Sequence, residues 1–304
     1  MAITFTQLSA FLAVVRGGSV TAAAEKLVVT QPSVSAAVTA LGRELGAPLL
    51  ERVGRGVRPT AAAVAFAPYA ADVLGLLEQG RQRAREAARV GSSTLCIAAV
   101  TTAAESFLPR VLRDFGEDHP AVELSLELGN RAQVLGALVD QEVDLAVMGR
   151  PPADARVVAE TFGRNDIACI AAPFESRATQ HVVHPGELAD RVWLLRERGS
   201  GTRELNEHFL ASHKLDPATL TLGSNAAIKQ AVRAGLGVSL VSRVSVSDEL
   251  ASGALVELPL VDGPGARPWF VVRSALGGER PVAALFIEFL LATARADKPS
   301  LYGF

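Results

Sequence analysis

The 304-residue chain carries only two cysteines and five histidines, and both scarcities narrow its chemistry. Cys96 and Cys169 lie in the apolar stretches LCIAAV and IACIAA, which read as buried strands, so structural thiols are expected rather than a redox pair. His119, His181, His184, His208 and His213 form no HExxH or other recognised metal pattern. His181-x-x-His184 could chelate only on a helix or a suitable loop, and Val182, Val183 and Pro185 argue against the helix. A G-x-S-x-G elbow and a complete Walker phosphate loop are both missing, so hydrolase and NTPase chemistry lack their usual frames. No uninterrupted apolar run approaches the roughly 18 residues that cross a bilayer. The opening MAITFTQLSAFLAVV has no basic flank and no small-residue cleavage site, unlike a secretory signal. The expectation is a cytoplasmic protein with no membrane partner and no metal or cofactor.

What is present points to a small domain followed by a larger one. Hydrophobic residues make up 49% of the chain and charged residues 20%, which excludes disorder. Residues 1–90 hold ten Lys/Arg against six Asp/Glu, whereas residues 91–304 hold twenty against twenty-six. A basic head on an acidic body suits a protein that presents one end to nucleic acid. In that head, Phe5, Leu8, Phe11, Leu12 and Val15 recur at helical spacing, and Gly17-Gly18 ends the helix before Ser19 caps the next. A second helix is expected over Val20–Leu27. A third begins after Thr30, with Pro32 in its first turn, and runs to about Leu45. Gly46 and Pro48 stop it, and Leu49–Thr60 around Gly54-Arg55-Gly56 reads as a small β-wing. From about Thr60 to Arg89 one long helix is expected, bent at Pro68, with Gly91-Ser92-Ser93 as a linker.

The segment TAAAEKLVVTQPSVSAAVTALGRELG has the composition of a helix-turn-helix, whose second helix offers its first residues to the DNA major groove. Thr30, Gln31, Ser33 and Ser35 can there reach base edges or phosphates, while Leu41 and Leu45 face inward. Arg43, Arg52, Arg55 and Arg58 supply cations for phosphates or, on the wing, for the minor groove. The same composition also admits a structural three-helix module with a solvated basic rim.

Beyond residue 93, strands and helices alternate over Leu95–Val100, Glu105–Phe115, Val122–Leu128, Ala132–Val139 and Val143–Met148, the pattern of an α/β domain with a largely parallel sheet. Ligands of such sheets settle beyond the strand ends, at helix N-termini. Four junctions of that kind occur: Thr101-Thr102, where Glu105 completes a capping-box pattern; Gly129-Asn130-Arg131; Gly199-Ser200-Gly201-Thr202; and Ser224-Asn225. Each taken singly is satisfied by a helix cap. With Arg131, Arg150, Arg203 and Lys229 nearby, the group suits an organic carboxylate or phosphate better than an apolar molecule. Trp193 and Trp269 are expected to pack in cores rather than stack on a ligand.

The run SVTAAAEKLVVTQPSVSAAVTALGRELGAPLLERVGRGVRPTAAA resembles the N-terminal signature of LysR-type transcriptional regulators over about sixty gapless residues. Val20, Ala22 and Leu50 depart from it, standing where Phe, Arg and Phe are frequent. The resemblance implies DNA contacts by Gln31, Pro32, Ser33, Arg52 and Arg55. It extends through GNRAQVLGALVDQEVDLAVMGRPP, LLRERGSGTRELNEHF and GSNAAIKQAVRAGLGVSLVS, which are most similar to the subgroup regulating carbon-fixation operons. The implied fold is a winged helix-turn-helix domain plus an α/β, two-lobed regulatory domain like a periplasmic binding protein. The implied division is 1–60 for the DNA-binding domain, 61–90 for a dimerisation helix and 91–304 for the regulatory domain. Its lobe I would cover about 94–162 and 268–295, and its lobe II about 163–267. The effector pocket would be lined by Thr101, Thr102, Asn130, Gly149, Arg150, Thr202 and Asn225. The implied effector is an organic carboxylate, a phosphorylated metabolite or a nicotinamide nucleotide. The implied partners are dyad-symmetric promoter DNA, a second copy in a homodimer or homotetramer, and RNA polymerase. An enzyme on the same two-lobed frame lacks the motifs named above, and a secreted solute-binding protein leaves the first ninety residues unexplained.

Overall fold

Thr4 starts the first helix by a reciprocal cap: its Oγ1 accepts from Gln7 N at 3.3 Å, and its own N–H donates to Gln7 Oε1 at 2.8 Å. In this computed structural model, which describes residues 2–54, 56–88, 93–174, 182–276 and 280–296, the chain splits near residue 90 into two compact units. Arg55, His181 and residues 91 and 92 of the expected linker lie outside the described residues.

In the first unit, α1 (Phe5–Gly17), α2 (Val20–Leu27) and α3 (Gln31–Leu45) wrap a core of Phe11, Val14, Val34, Val38 and Leu41. Ser19 and Thr30 cap α2 and α3 with their hydroxyls. Leu41 is fully buried in that core, and Leu45 packs half-buried against it. Gly42 faces inward on α3, where a Cβ would meet Ala47 O at 2.9 Å, so only glycine lets the chain fold back this closely. Antiparallel β1 (Leu50–Val53) and β2 (Gly56–Pro59) form the wing. Val20 and Leu50, two departures from the family signature, still pack against this core.

The long helix α4 (Ala61–Ala88) continues through Pro68. It buries Ala63, Ala70 and Ala71, and Phe66 lies 5.7 Å from Phe11 between ring centroids. Its first 21 residues, Ala61–Arg81, are long and apolar enough to cross a membrane by length and composition alone. That average comes from an Ala-rich helix with one face in the core and Tyr69, Val73 and Leu76 exposed on another.

Among the described residues the second unit holds three sheets. The first, of order β4-β3-β5-β12-β6, comprises β3 (Ser93–Val100), β4 (Val122–Gly129), β5 (Leu145–Met148), β6 (Val157–Asn165) and β12 (Arg267–Ser274). Its β4, β3 and β5 run parallel, joined by crossover helices, but β12 is antiparallel to both neighbours. The sheet is therefore mixed rather than largely parallel, because the chain returns from the second lobe to insert β12 between β5 and β6. A second departure lies after β3. The helix expected over Glu105–Phe115 is two, α5 (Thr101–Glu105) and α6 (Leu108–Asp118), because Pro109 can open a helix but not continue one and Phe107 turns into the core. Helices α6 and α11 (Pro281–Arg295) cover one face around Phe115, Trp269 and Phe286; α7 (Arg131–Val139) covers the other with Val134 and Leu138.

The second lobe begins at β7 (Ile167–Ala171), directly after β6 ends, and β11 (Val256–Glu257) precedes the return to β12. It contains the sheet β10-β7-β11, with β10 at Ser239–Ser242, and the parallel pair β8 (Trp193–Arg196) and β9 (Thr219–Leu222). Helices α8 (Gly201–Ser212), α9 (Asn225–Arg233) and α10 (Ser247–Ala251) pack around them. Trp193 sits in this core and donates Nε1–H to Leu188 O at 3.2 Å. Cys96 lies half-buried on β3, where desolvation and then the charge of Asp144 push its thiol above the ordinary value, and Cys169 is buried on β7; they form no disulfide with each other.

Candidate functional site

The first site is the surface at the start of α3. Thr30, Gln31, Pro32, Ser33 and Ser35 are all exposed, because Val34 and Val38 take the inward positions of the helical repeat. Gln31 does not hang free: its Nε2–H donates to Thr21 Oγ1 on α2 at 2.8 Å, so the preceding helix orients it. Thr21 was not legible as part of this surface, since it looks like one more small residue of an Ala-rich helix. Arg43 and Arg52 are exposed. Arg58 is exposed too, but across the wing it pairs with Glu51, whose Oε1 accepts at 2.7–2.8 Å. Its cation is thus partly neutralised by its own hairpin.

The second site is a cavity of about 350 Å³ between the two lobes of the regulatory unit, a size suited to a small metabolite. Thr101, Thr102, Asn130, Gly149, Arg150 and Thr202 all line it. Asn225 stands behind the wall. Its buried amide accepts from Arg196 Nη1 and donates to Thr102 Oγ1 at 3.0 Å, tying α9 to the wall residues of both lobes. Arg203 is not among the lining residues; its guanidinium binds Glu207 at 2.7 Å and Arg196 O at 2.9 Å. Lys229 faces a separate hollow and is held by Glu249 at 2.7 Å.

The four junctions separate into caps and free walls. Asn130 exchanges bonds with Gln133, and Ser224 accepts from Ala227 N at 3.1 Å, so both are caps. Ser200 makes no side-chain cap to α8, although it is buried and lines the cavity. Thr101 and Thr102 lie inside α5 and form no capping box with Glu105, because α5 is capped by no side chain and Thr101 Oγ1 turns to Gly129 O. Thr101 thus keeps only acceptor positions, whereas Thr102, whose Oγ1 accepts from Asn225, keeps its hydroxyl proton for a ligand.

Several wall residues had no sequence signal. Arg196 ends the apolar strand WLLR, and a charge closing such a run was the one hint available. It is 4% exposed and braced by Glu197 at 2.8 Å. Although burial opposes it, hydrogen bonds from Arg196, the backbone and Asn130 hold the Glu197 carboxyl below its ordinary value. Asn165 and Ser242, joined at 2.5 Å, lie where β6 and β10 end at the lobe crossing. Arg267 and Trp269 come from β12. Trp269 packs 5.2 Å from Phe107 as a core residue, yet it also lines the cavity and its indole N–H has no hydrogen-bond partner among the described residues. Desolvation, with the nearby Arg131 and Arg150, lowers the Arg267 pKa against the opposing effect of Glu204.

A helix-turn-helix with a wing, followed by two α/β lobes around a polar cavity, defines a ligand-responsive DNA-binding regulator. The chain belongs to the LysR family: the family model "LysR substrate binding domain" matches residues 88–295, and "Bacterial regulatory helix-turn-helix protein, lysR family" matches residues 5–64. It is 36% identical over 302 residues to the HTH-type transcriptional regulator CbbR of Rhizobium meliloti (strain 1021), covering 98% of this chain and 95% of the relative. It is 36% identical over 295 residues to the RuBisCO operon transcriptional regulator of Acidithiobacillus ferrooxidans, covering 97% and 95%. Among solved structures, the regulatory domain of Synechocystis PCC6803 CcmR in complex with 2-PG matches with a TM-score of 0.63 and 31% identity, over 67% of this chain and 98% of that one. The protein is thus a LysR-type transcriptional regulator with an effector-binding domain, similar to the carbon-fixation regulators.

Proposed function

We propose that this regulator binds a dyad-symmetric promoter site as a homodimer or homotetramer and adjusts its grip on that DNA to a small phosphorylated or carboxylated metabolite held in the interlobe cavity. The observation that carries this reading is the chemistry of the cavity wall. Thr101, Thr102, Ser200 and Thr202 offer hydroxyls, and Arg131, Arg150, Arg196 and Arg267 offer guanidiniums, the set that recognises phosphate and carboxylate. The 2-PG in the CcmR complex is a ligand of that relative's equivalent domain and favours the phosphorylated class. Gly149 and Asn130 leave backbone room and an amide at the strand ends, and Asn225 holds Thr102 and Arg196 in place.

At the other end, Thr30, Gln31, Pro32, Ser33 and Ser35 enter the major groove. Arg43, Arg52, Arg55 and Arg58 contact phosphates or the minor groove. The exposed Tyr69, Val73 and Leu76 of α4 pack against the same helix of a second copy, and the dimer sets two recognition helices on two half-sites. Residues 1–60, 61–90 and 91–304 act as the DNA-binding, dimerisation and sensing parts. RNA polymerase is the downstream partner and the cytoplasm the compartment. Because the effector has different affinities for the lobe arrangements, it shifts their populations and with them the bend imposed on DNA.

The test is a thermal-shift screen of phosphorylated sugars, dicarboxylates and nicotinamide nucleotides, followed by gel shift on the DNA upstream of the gene. A melting point raised by a small anion, together with altered mobility of the protein–DNA complex, is the expected outcome. Stabilisation by apolar compounds alone would overturn the ligand class, and indifference to the upstream DNA at low salt would overturn the promoter reading.

A further inference from the structure

Four charged side chains crowd one end of the interlobe cavity, and one has the wrong sign for a site that takes anions. Arg131 at the start of α7, Arg150 after β5 and Arg267 on β12 belong to the first lobe, and Glu204 in the first turn of α8 belongs to the second. Glu204 forms a salt bridge with Arg131 across the cleft. It is only half-buried, so its carboxylate can swing into water, whereas Arg131 is fixed below it with a buried Nε–H that has no partner among the described residues. Arg150 and Arg267 have no salt bridge among the described residues. The end therefore holds three cations and one carboxylate, and a second buried donor, the Trp269 indole N–H, stands unpartnered on the same wall.

We propose that Glu204 is an internal competitor for the effector, a carboxylate that occupies the arginine end of the cleft and must be displaced from Arg131 by the ligand's anionic group. This rests on the reading of the cleft as an anion site and adds to it a residue that sets affinity. A monoanion replaces Glu204 on Arg131 with little net gain, one carboxylate exchanging for another. A dianion satisfies Arg131 and also engages Arg150 and Arg267, so it gains where the internal carboxylate cannot. Glu204 thereby lowers affinity for every anion that must displace it, and the preference for phosphate esters comes from Arg150 and Arg267. The lobe-to-lobe ion pair gives way to a bridge that runs through the ligand.

The experiment is titration calorimetry on the full chain with 2-phosphoglycolate, which carries a carboxylate and a phosphate dianion, as the phosphorylated probe and glycolate as its monoanionic counterpart, comparing wild type with Glu204→Gln and Glu204→Asp. Glu204→Gln is expected to bind both probes more tightly, by roughly threefold to fivefold at low salt given the solvent exposure of the pair, with the gain shrinking as salt rises. The gain should reach both probes in Glu204→Gln, at least as large for the more highly charged one, and Glu204→Asp, which keeps the charge, should keep the wild-type affinities. A merely structural role would give no gain in affinity that shrinks as salt rises. Equal affinities in wild type and Glu204→Gln, or weaker binding by Glu204→Gln with an unaltered melting point, overturn the competitor role while leaving the anion site intact. Binding of neither probe by any of the three proteins removes the anion site itself, and the inference with it.

Discussion

Two side-chain amides, one buried and one exposed, decide how the site residues stand. Asn225 is 4% exposed and holds Arg196 with its oxygen and Thr102 with its nitrogen. Asn225→Leu keeps the volume but leaves Arg196 Nη1 without its amide acceptor and the Thr102 hydroxyl without its amide donor, while Glu197 still holds the rest of the guanidinium, so a loss of about 1–3 kcal/mol is expected in urea unfolding, along with weakened ligand stabilisation. An unchanged unfolding midpoint would show that Arg196 finds other partners. On the DNA side, Gln31 is aimed by Thr21. Thr21→Val removes that hydrogen bond without touching the surface shape, so operator affinity in a gel shift should fall by a few fold while affinity for unrelated DNA stays constant. If both fall equally, Thr21 shapes the fold rather than the reading of bases.

At the scale of elements, the turn between α2 and α3 is under strain. Val28 caps α2 in the left-handed conformation, φ 55° and ψ 46°, with its β-branched side chain 89% exposed. Nothing packs on that side chain to repay the conformation, so Val28→Gly should raise stability by about 1 kcal/mol, read as a higher melting temperature. A lower melting temperature would mean that glycine's entropy in the unfolded chain outweighs the strain. Elements governed by local signals were legible in the sequence: α2 over Val20–Leu27 and α3 to Leu45 are bounded by Ser19, Thr30 and Gly46, whose capping preferences are properties of single residues. The break between α5 and α6 was obscured because Ala104, Leu108, Val111 and Phe115 continue a plausible helical stripe across it. The cavity was half legible. Thr101, Asn130 and Thr202 sit at strand-to-helix junctions that a sequence displays. Arg267 and Trp269 reach it on a strand that closes the first sheet from more than a hundred residues downstream, and no local pattern records that pairing.

The whole molecule couples its two ends only if the regulatory unit has a defined resting state, and carboxylates at the lobe boundary contribute to it. Glu197 accepts from Arg196 within its own lobe and from Asn130 of the other, and these bonds hold its carboxyl below the ordinary glutamate value of 4.5. A depressed folded-state pKa contributes stability that is fully present above the unfolded value and is lost as pH falls through the folded one. Stability should therefore be flat in this respect near neutrality and decline only below about pH 4.5, and Glu197→Gln should lose the contribution at neutral pH and flatten that part of the acid decline. An acid profile identical in wild type and Glu197→Gln would place the bond outside the folded-state balance. The other requirement is a partner for α4. Tyr69, Val73 and Leu76 are 68%, 46% and 39% exposed on a helix whose opposite face is already committed to Phe11 and its neighbours. Burying such a stripe against its twin removes apolar surface from water, and a single buried carboxylate there would cost more than that burial returns. Val73→Glu should thus shift the protein toward monomer in sedimentation equilibrium and abolish tight binding to a two-half-site operator while sparing the weak binding of one half-site. A Val73→Glu protein that still sediments as the wild type would assign the dimer to another surface.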